Sequence, residues 1–271
     1  GQARLWIGTF DRGVMWRDEA GRWRSPEASG EPPRFVNTLA SDGTRLWAAS
    51  ATGAFVMEDG HWRRFGEQSG LASDHVNALR VHRGDVWFAT SHGLSKWDGQ
   101  SVKTWRVEDG LPYRIVYSVA VSEGQVLAGT AHGLGVFEQG RWTQHRMGTT
   151  GLSDEWINAV AFRSDGSALA GTYDAGVDLL REGSIEVVEG LEKVWVNPSG
   201  LFPTPELGGV FVATLGDGLW FWPDRASPMK LDKVLKLPSQ DVTSVLHVDD
   251  RVWVGTRNGL AEWSLAELAL P

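Results

Sequence analysis

One pattern returns seven times along the chain, and it dominates what the chain can become. An apolar pair is followed by a small residue, a hydroxyl, two or three variable residues and a glycine. The copies open at Leu5-Trp6, Leu46-Trp47, Val86-Trp87, Val126-Leu127, Ala168-Leu169, Val210-Phe211 and Val252-Trp253. Their hydroxyls fall at positions 9, 50, 90, 130, 172, 214 and 256, so the period stays near 41 residues and insertions are small. A fixed period of this length marks a repeat architecture, in which each unit buries its flanks only by stacking on neighbours.

The third copy shows what a unit contains. Val76–Val81 is an apolar run of strand length, Arg83-Gly84-Asp85 a turn, and Val86–Thr90 a second strand. Ser91-His92-Gly93 is a tight connection, Leu94–Trp97 a third strand, and Val102–Trp105 a fourth after the Asp98-Gly99-Gln100 turn. Four short strands per unit is the pattern of a propeller blade. No amphipathic helix of ten or more residues stands out, which disfavours helical solenoids.

The predicted fold is all-β: a single seven-bladed β-propeller over residues 1–271, with four-stranded antiparallel blades. Second strands are expected near 5, 46, 86, 126, 168, 210 and 252, and six first strands near 35, 75, 115, 156, 193 and 241. Closure is open at this point. Either the first blade lacks its innermost strand or part of the natural chain lies outside this sequence, and residues 264–270 could supply a last outer strand.

Most of the fifteen tryptophans fit this scheme. Trp6, Trp47, Trp87 and Trp253 lie on second strands, Trp97, Trp222 and Trp263 on third strands, and Trp23, Trp62 and Trp142 open fourth strands. Gly or Ala before the hydroxyl is expected to keep the second strand thin where blades crowd. The hydroxyl itself is expected to bond backbone.

The stretch Val76–Gly99, with Asp109-Gly110-Leu111-Pro112, resembles the two-component regulator propeller repeat. Gly70-Leu71-Ala72-Ser73-Asp74-His75-Val76-Asn77 and Gly151-Leu152-Ser153-Asp154-Glu155-Trp156-Ile157-Asn158 fit the same family. The resemblance spans nearly the whole chain and is strongest over residues 66–160. It weakens around 184–206, where Asn197-Pro198-Ser199-Gly200 and Pro203-Thr204-Pro205 replace the usual turn. It implies a sensor-type propeller of the kind found on periplasmic parts of hybrid histidine kinases, often recognising oligosaccharides. The chain shows no kinase, no second propeller array and no apolar stretch of membrane-helix length, so binding rather than signalling is what the resemblance carries over.

Bulk properties narrow the function. A net charge of −8 argues against a nucleic-acid backbone or an anionic membrane as main partner. The absence of cysteine removes disulfides, thiolate nucleophiles and thiolate metal sites. A start at Gly1 without a leader leads to the expectation of a processed or excised piece, while the resemblance implies a periplasmic or extracellular bacterial protein, expected to be a monomer.

Candidate binding residues follow from topology. In an antiparallel blade, the turn after the second strand and the linker to the next blade share one end, and the linkers (24–34, 66–74, 106–114, 146–155 and 232–240) are the least alike segments. Variable loops on a rigid scaffold are where binding concentrates. The turns contribute Arg12, His92, His132, Tyr173, Asp174, Asp217 and Arg257, and the linkers Tyr113, Arg114 and Trp156. Donors, acceptors and aromatic plates in one ring suit a small polar ligand, an oligosaccharide among them. His92 and His132 with Asp174 could hold zinc, but their spacing is only the repeat period, and the expectation is no metal and no cofactor.

Two other readings stay open. A protein-interaction platform would use Trp156, Trp195, Trp220 or Phe35 as anchors, with core packing favoured for Trp220. A hydrolase or lyase would use His92, His132 or Tyr173, although no catalytic motif is present and the pairs Asp154-Glu155 and Asp249-Asp250 lie in turns or linkers.

Overall fold

The computed structural model describes residues 4–231 and 236–270, nearly all of whose regular structure is strand. The second sheet holds Val36–Ser41, Leu46–Ser50, Gly53–Glu58 and His61–Phe65; the third Val76–His82, Asp85–Thr90, Gly93–Trp97 and Val102–Trp105. The fourth holds Val116–Val121, Gln125–Thr130, Gly133–Glu138 and Arg141–His145; the fifth Ile157–Phe162, Ala168–Thr172, Val177–Arg181 and Ser184–Val187. The sixth holds Val196–Thr204, Gly209–Thr214, Leu219–Pro223 and Met229–Lys230. In chain order these are strands a, b, c and d of each sheet, paired antiparallel with their sequence neighbours. Among the described residues the first sheet has b, c and d (Trp6–Thr9, Gly13–Arg17, Trp23–Arg24), and the seventh a, b and c (Val242–Val248, Arg251–Thr256, Gly259–Ser264). The fold is a seven-bladed β-propeller.

The strand starts follow the repeat to within about a residue, except around 193. There strand a begins at Val196 and runs nine residues, with its register broken between Val196 and Leu201. Asn197-Pro198-Ser199-Gly200 occupies that break, because Pro198 has no N–H to give a ladder. Residues 264–270 do not form an outer strand. Ser264 caps a short helix, Leu265–Leu268, whose Leu268 is fully buried against the seventh sheet's core. A side chain that accepts the Glu267 N–H and a Glu267 carboxylate that reaches back make a capping box, and that local preference outweighs extension. Of the expected linker 232–240, residues 232–235 lie outside the described residues.

The chain divides into two compact units, residues 1–119 and 120–271. In the first, Trp47 packs between Phe65, Phe88 and Trp97, with ring centroids 5.3–5.9 Å apart. Tilted and edge-on pairs of this kind build the core between the second and third sheets, whereas the cluster around Leu127, Leu134 and Ile157 is aliphatic. Gly8 is thin for the expected reason: a Cβ there would sit 2.4 Å from Val36 Cγ1 of the next sheet. In the second unit Gly171 stands in the same relation to Val196, at 2.7 Å.

A further repeat element joins neighbouring sheets. Strand a skips register at its second residue, between Val36 and Thr38, Val76 and Ala78, and Ile157 and Ala159. Such a bulge turns the residue between out of the ladder. Where that residue is Asn, its amide donates to the first carbonyl of the next strand a: Asn37 to Val76 and Asn77 to Val116 at 2.8 Å, Asn158 to Val196 at 3.0 Å. Asn197 reaches Val242 in the same way at 2.5 Å.

Candidate functional site

The loop end of each sheet is organised by two backbone devices. The recurrent hydroxyl donates to the carbonyl of the turn glycine in all seven sheets, at 2.7–3.0 Å. In most copies it also accepts an N–H from within the turn, as from His92 and Ala175. The first turn residue then donates its N–H to the residue just before strand a. Ser91 bonds His75, Tyr173 bonds Trp156, Leu215 bonds Trp195 and Arg257 bonds Asp241, at 2.8–3.1 Å. The side chains before strand a and after strand b are thereby held next to one another.

In the second unit this pairing builds an aromatic wall. Trp156 and Tyr173 stack at 5.1 Å with planes 22° apart, and Tyr173 stacks on Trp195 at 5.6 Å and 19°. Each ring is about two-fifths exposed: 41% for Trp156, 38% for Tyr173 and 45% for Trp195. Large aromatics in a sheet protein are ordinarily buried, as Trp47 and Phe88 are here.

The linkers beneath fix the wall. Leu191 and Val194, just ahead of Trp195 in the chain, and Leu152, ahead of Trp156, are buried. Asp154 caps the Trp156 N–H at 3.1 Å. The Ser153 N–H bonds the buried Asp178 carboxylate at 2.9 Å. Next to the wall, His132 Nδ1 lies 2.9 Å from Glu155 Oε2. Asp174 is exposed in the Tyr173 turn. Together these residues offer flat apolar faces bordered by carboxylate acceptors and one imidazole.

The first unit's loop end combines arginine and histidine with an exposed aromatic pair, Phe10 and Phe35. Arg114 Nη1 donates to His92 Nε2 at 3.0 Å, and Arg106 Nη1 to the His92 carbonyl at 2.9 Å. An arginine has only donors, so the His92 ring accepts there. Tyr113 is half-buried beside the buried Leu111 and Pro112. Arg12 is exposed, with Asp11 3.9 Å away, and Phe10 meets Phe35 edge-on at 5.2 Å.

Two expected residues serve their own surroundings. Asp217 accepts from Trp220 Nε1 at 3.0 Å and from Lys230 Nζ at 2.6 Å, which makes it a clamp across strands c and d of the sixth sheet. That bond also accounts for Trp220, which packs as a half-buried residue. Arg257 pairs with Asp241 at 3.6 Å. No group of three His, Asp or Glu side chains placed to hold a metal occurs among the described residues, and His132 is turned to Glu155 instead.

Trp195 and Glu155 belong to this cluster and were not among the ligand candidates. The signal for Trp195 is positional: it precedes strand a as Phe35, His75, Ile115, Trp156 and Asp241 do, so it had to come beside a turn.

With the geometry described, comparison with known proteins adds the following. Neither a family model nor a curated protein matches the chain. Solved structures do. The extracellular domain of the hybrid two-component system BT4673 of B. thetaiotaomicron is 17% identical, with a TM-score of 0.75 over 96% of this chain and 36% of that one. PorZ of Porphyromonas gingivalis, a bacterial surface component of the type-IX secretion system, is 17% identical at 0.69, over 96% and 45%. A virginiamycin B lyase of Staphylococcus aureus, solved with quinupristin, is 10% identical at 0.67, over 95% and 92%.

What these structures share with the chain is its fold. The chain spans about a third of the BT4673 domain's length. A propeller found in a lyase in one case and in the extracellular domain of a two-component system in another leaves function to the site. No helix among the described residues is long and apolar enough to cross a membrane.

Proposed function

We propose that the chain is a non-enzymatic recognition propeller working outside the cytoplasm, and that it binds an oligosaccharide against Trp156, Tyr173 and Trp195. The observation that carries this reading is the stack of three exposed rings held by backbone bonds on both sides. Sugar rings present C–H faces that settle on aromatic planes, and their hydroxyls need acceptors at the rim. Asp154, Glu155 and Asp174 supply carboxylates there, and His132 a ring nitrogen. Rings already parallel before binding cost little ordering when a ligand arrives. The sensor ectodomain among the fold neighbours is consistent with an extracytoplasmic role.

The test is a panel of neutral and acidic oligosaccharides screened by thermal shift and then titrated calorimetrically. A ligand that binds only the folded chain raises Tm. Trp156→Ala and Trp195→Ala should each weaken a hit about fivefold, in keeping with roughly 1 kcal/mol per aromatic contact. His92→Ala, at the other unit's loop end, should leave it unchanged. No hit across the panel, together with capture of a peptide by the same rings, would replace this reading with a protein-interaction platform.

A further inference from the structure

The chain repeatedly sets one of its own cations over an indole ring. In the second unit Arg163 lies 3.9 Å from the centre of the Trp222 ring. In the first, Arg4 lies 4.3 Å from Trp16, Lys103 4.9 Å from Trp105 and Arg45 5.0 Å from Trp97. The face of an aromatic ring is negative, and indole attracts cations most strongly. Among the described residues, Tyr173 and Trp195 have no such cation. Tyr173 is the one ring partner of Trp195 there, so the far face of that indole carries no ring.

The border of the wall has the charge that such a cation would need. Asp174 is exposed in the turn that carries Tyr173, and it makes no hydrogen bond or ion pair among the described residues. Its backbone is fixed on both sides, because the Tyr173 N–H bonds the Trp156 carbonyl and the Ala175 N–H bonds Thr172 Oγ1. Basic groups of this loop end are engaged with other partners. Arg146 donates to the His132 carbonyl and to Gln144, each at 3.1 Å. Arg257 pairs with Asp241, His132 faces Glu155, and Lys193 has Glu192 as a neighbour of opposite charge. An indole face without a cation and a carboxylate without a partner thus stand at one site. The net charge of −8 draws positive ligands in the same direction.

We infer that the oligosaccharide taken by this wall is an amino sugar with free amines, whose ammonium is held by the Tyr173 and Trp195 rings and the Asp174 carboxylate. This rests on the reading of the wall as an oligosaccharide site. An ammonium at C2 replaces a hydroxyl and leaves the C–H faces of the sugar as they were. The ring keeps its stacking and gains two attractions, one to the aromatic quadrupole and one to the carboxylate.

The test is calorimetric titration of the whole chain with three β-1,4-linked tetramers that differ at C2 alone: glucosamine, N-acetylglucosamine and glucose. The glucosamine tetramer should bind about tenfold more tightly than the other two. The advantage should shrink to about threefold in about 1 M NaCl, where the screening length is about 3 Å. Asp174→Asn keeps an acceptor, removes the charge and should cut the advantage to a similar degree; if that variant does not fold, the salt series decides alone. Trp195→Ala should weaken the glucosamine tetramer at least fivefold. Equal affinity for the three tetramers, or preference for the N-acetylated one, would overturn the amine assignment and leave the oligosaccharide site standing. Glucosamine binding that Trp195→Ala leaves intact would also overturn it, as attraction to the chain's overall charge. Binding of none of the three would overturn it together with the reading beneath it.

Discussion

Asp178 is a fully buried carboxylate in the middle of strand c of the fifth sheet, and its neighbours in the repeat explain why it is tolerated. At the equivalent position of the third sheet, Ser95 Oγ accepts the Ala72 N–H at 2.9 Å, just as Asp178 accepts from Ser153. The fourth repeat has Pro112 at the linker position and Gly135 at the strand position, so donor and acceptor are lost together. The repeat thus needs one acceptor here, and a charge is more than it needs. Burial raises the Asp178 carboxyl above its ordinary range, with Asp154 adding to the shift and the Ser153 bonds opposing it.

A raised carboxyl favours the fold in its protonated form. Its contribution is complete in acid, below the ordinary carboxylate range, and is lost as pH climbs through its folded value. Asp178→Asn keeps the acceptor and removes the charge. It should raise Tm at pH 7 by about 2–4 °C, corresponding to roughly 1 kcal/mol, and the difference should vanish at pH 3. Thermal melts at the two pH values check this.

Among the elements, the bulged strand a with its asparagine couples one sheet to the next. Asn158→Ala removes a buried donor and leaves the Val196 carbonyl unsatisfied, which should cost about 1–3 kcal/mol in urea unfolding. Asn37→Ala, at a part-buried copy of the same bond, should cost less. This element also marks how far the sequence could be read. The strands, their order and the thin glycines follow from the periodic pattern, because alternation and turn residues act locally. That Asn77 would leave its own ladder does not follow, since nothing local distinguishes a bulge from a regular pair. The tail misled in the other direction. Leu265–Leu268 has the apolar content of a strand, and the deciding interaction is a cap contributed by Ser264 and Glu267. At the site, Trp156, Tyr173 and the turn positions were legible, but the stacking that joins Trp195 to them depends on two linkers of unlike sequence. Asp217 could not be told from a ligand residue until Trp220 and Lys230 were seen on either side of it.

For the molecule as a whole, burial is unevenly spread. Strands a and b of the fifth sheet are buried almost throughout, while strand a of the seventh alternates buried with exposed residues and leaves Leu246 and Val248 at 45%. Strand b of the first sheet, Trp6–Thr9, is half-buried or exposed where the equivalent Leu46–Ser50 are all buried. In stacked repeats, stability is close to a sum over neighbouring interfaces, and segments with fewer buried contacts open first. Native-state hydrogen exchange should find the slowest amides in strands b of sheets two to six. Trp6–Arg17 and Val242–Val248 should exchange well before global unfolding.

The hydroxyl that closes each turn comes from the strand before it, and the carbonyl it binds belongs to the glycine after it. Residues such as Tyr173, Asp174 and Ala175 are bracketed between them, and the turn bonds made by Tyr173 and Ala175 run through main-chain N–H groups rather than side chains. Selection, natural or in a laboratory library, can therefore rewrite those positions while the scaffold stays as it is, and new specificities can be tried on this chain one turn at a time.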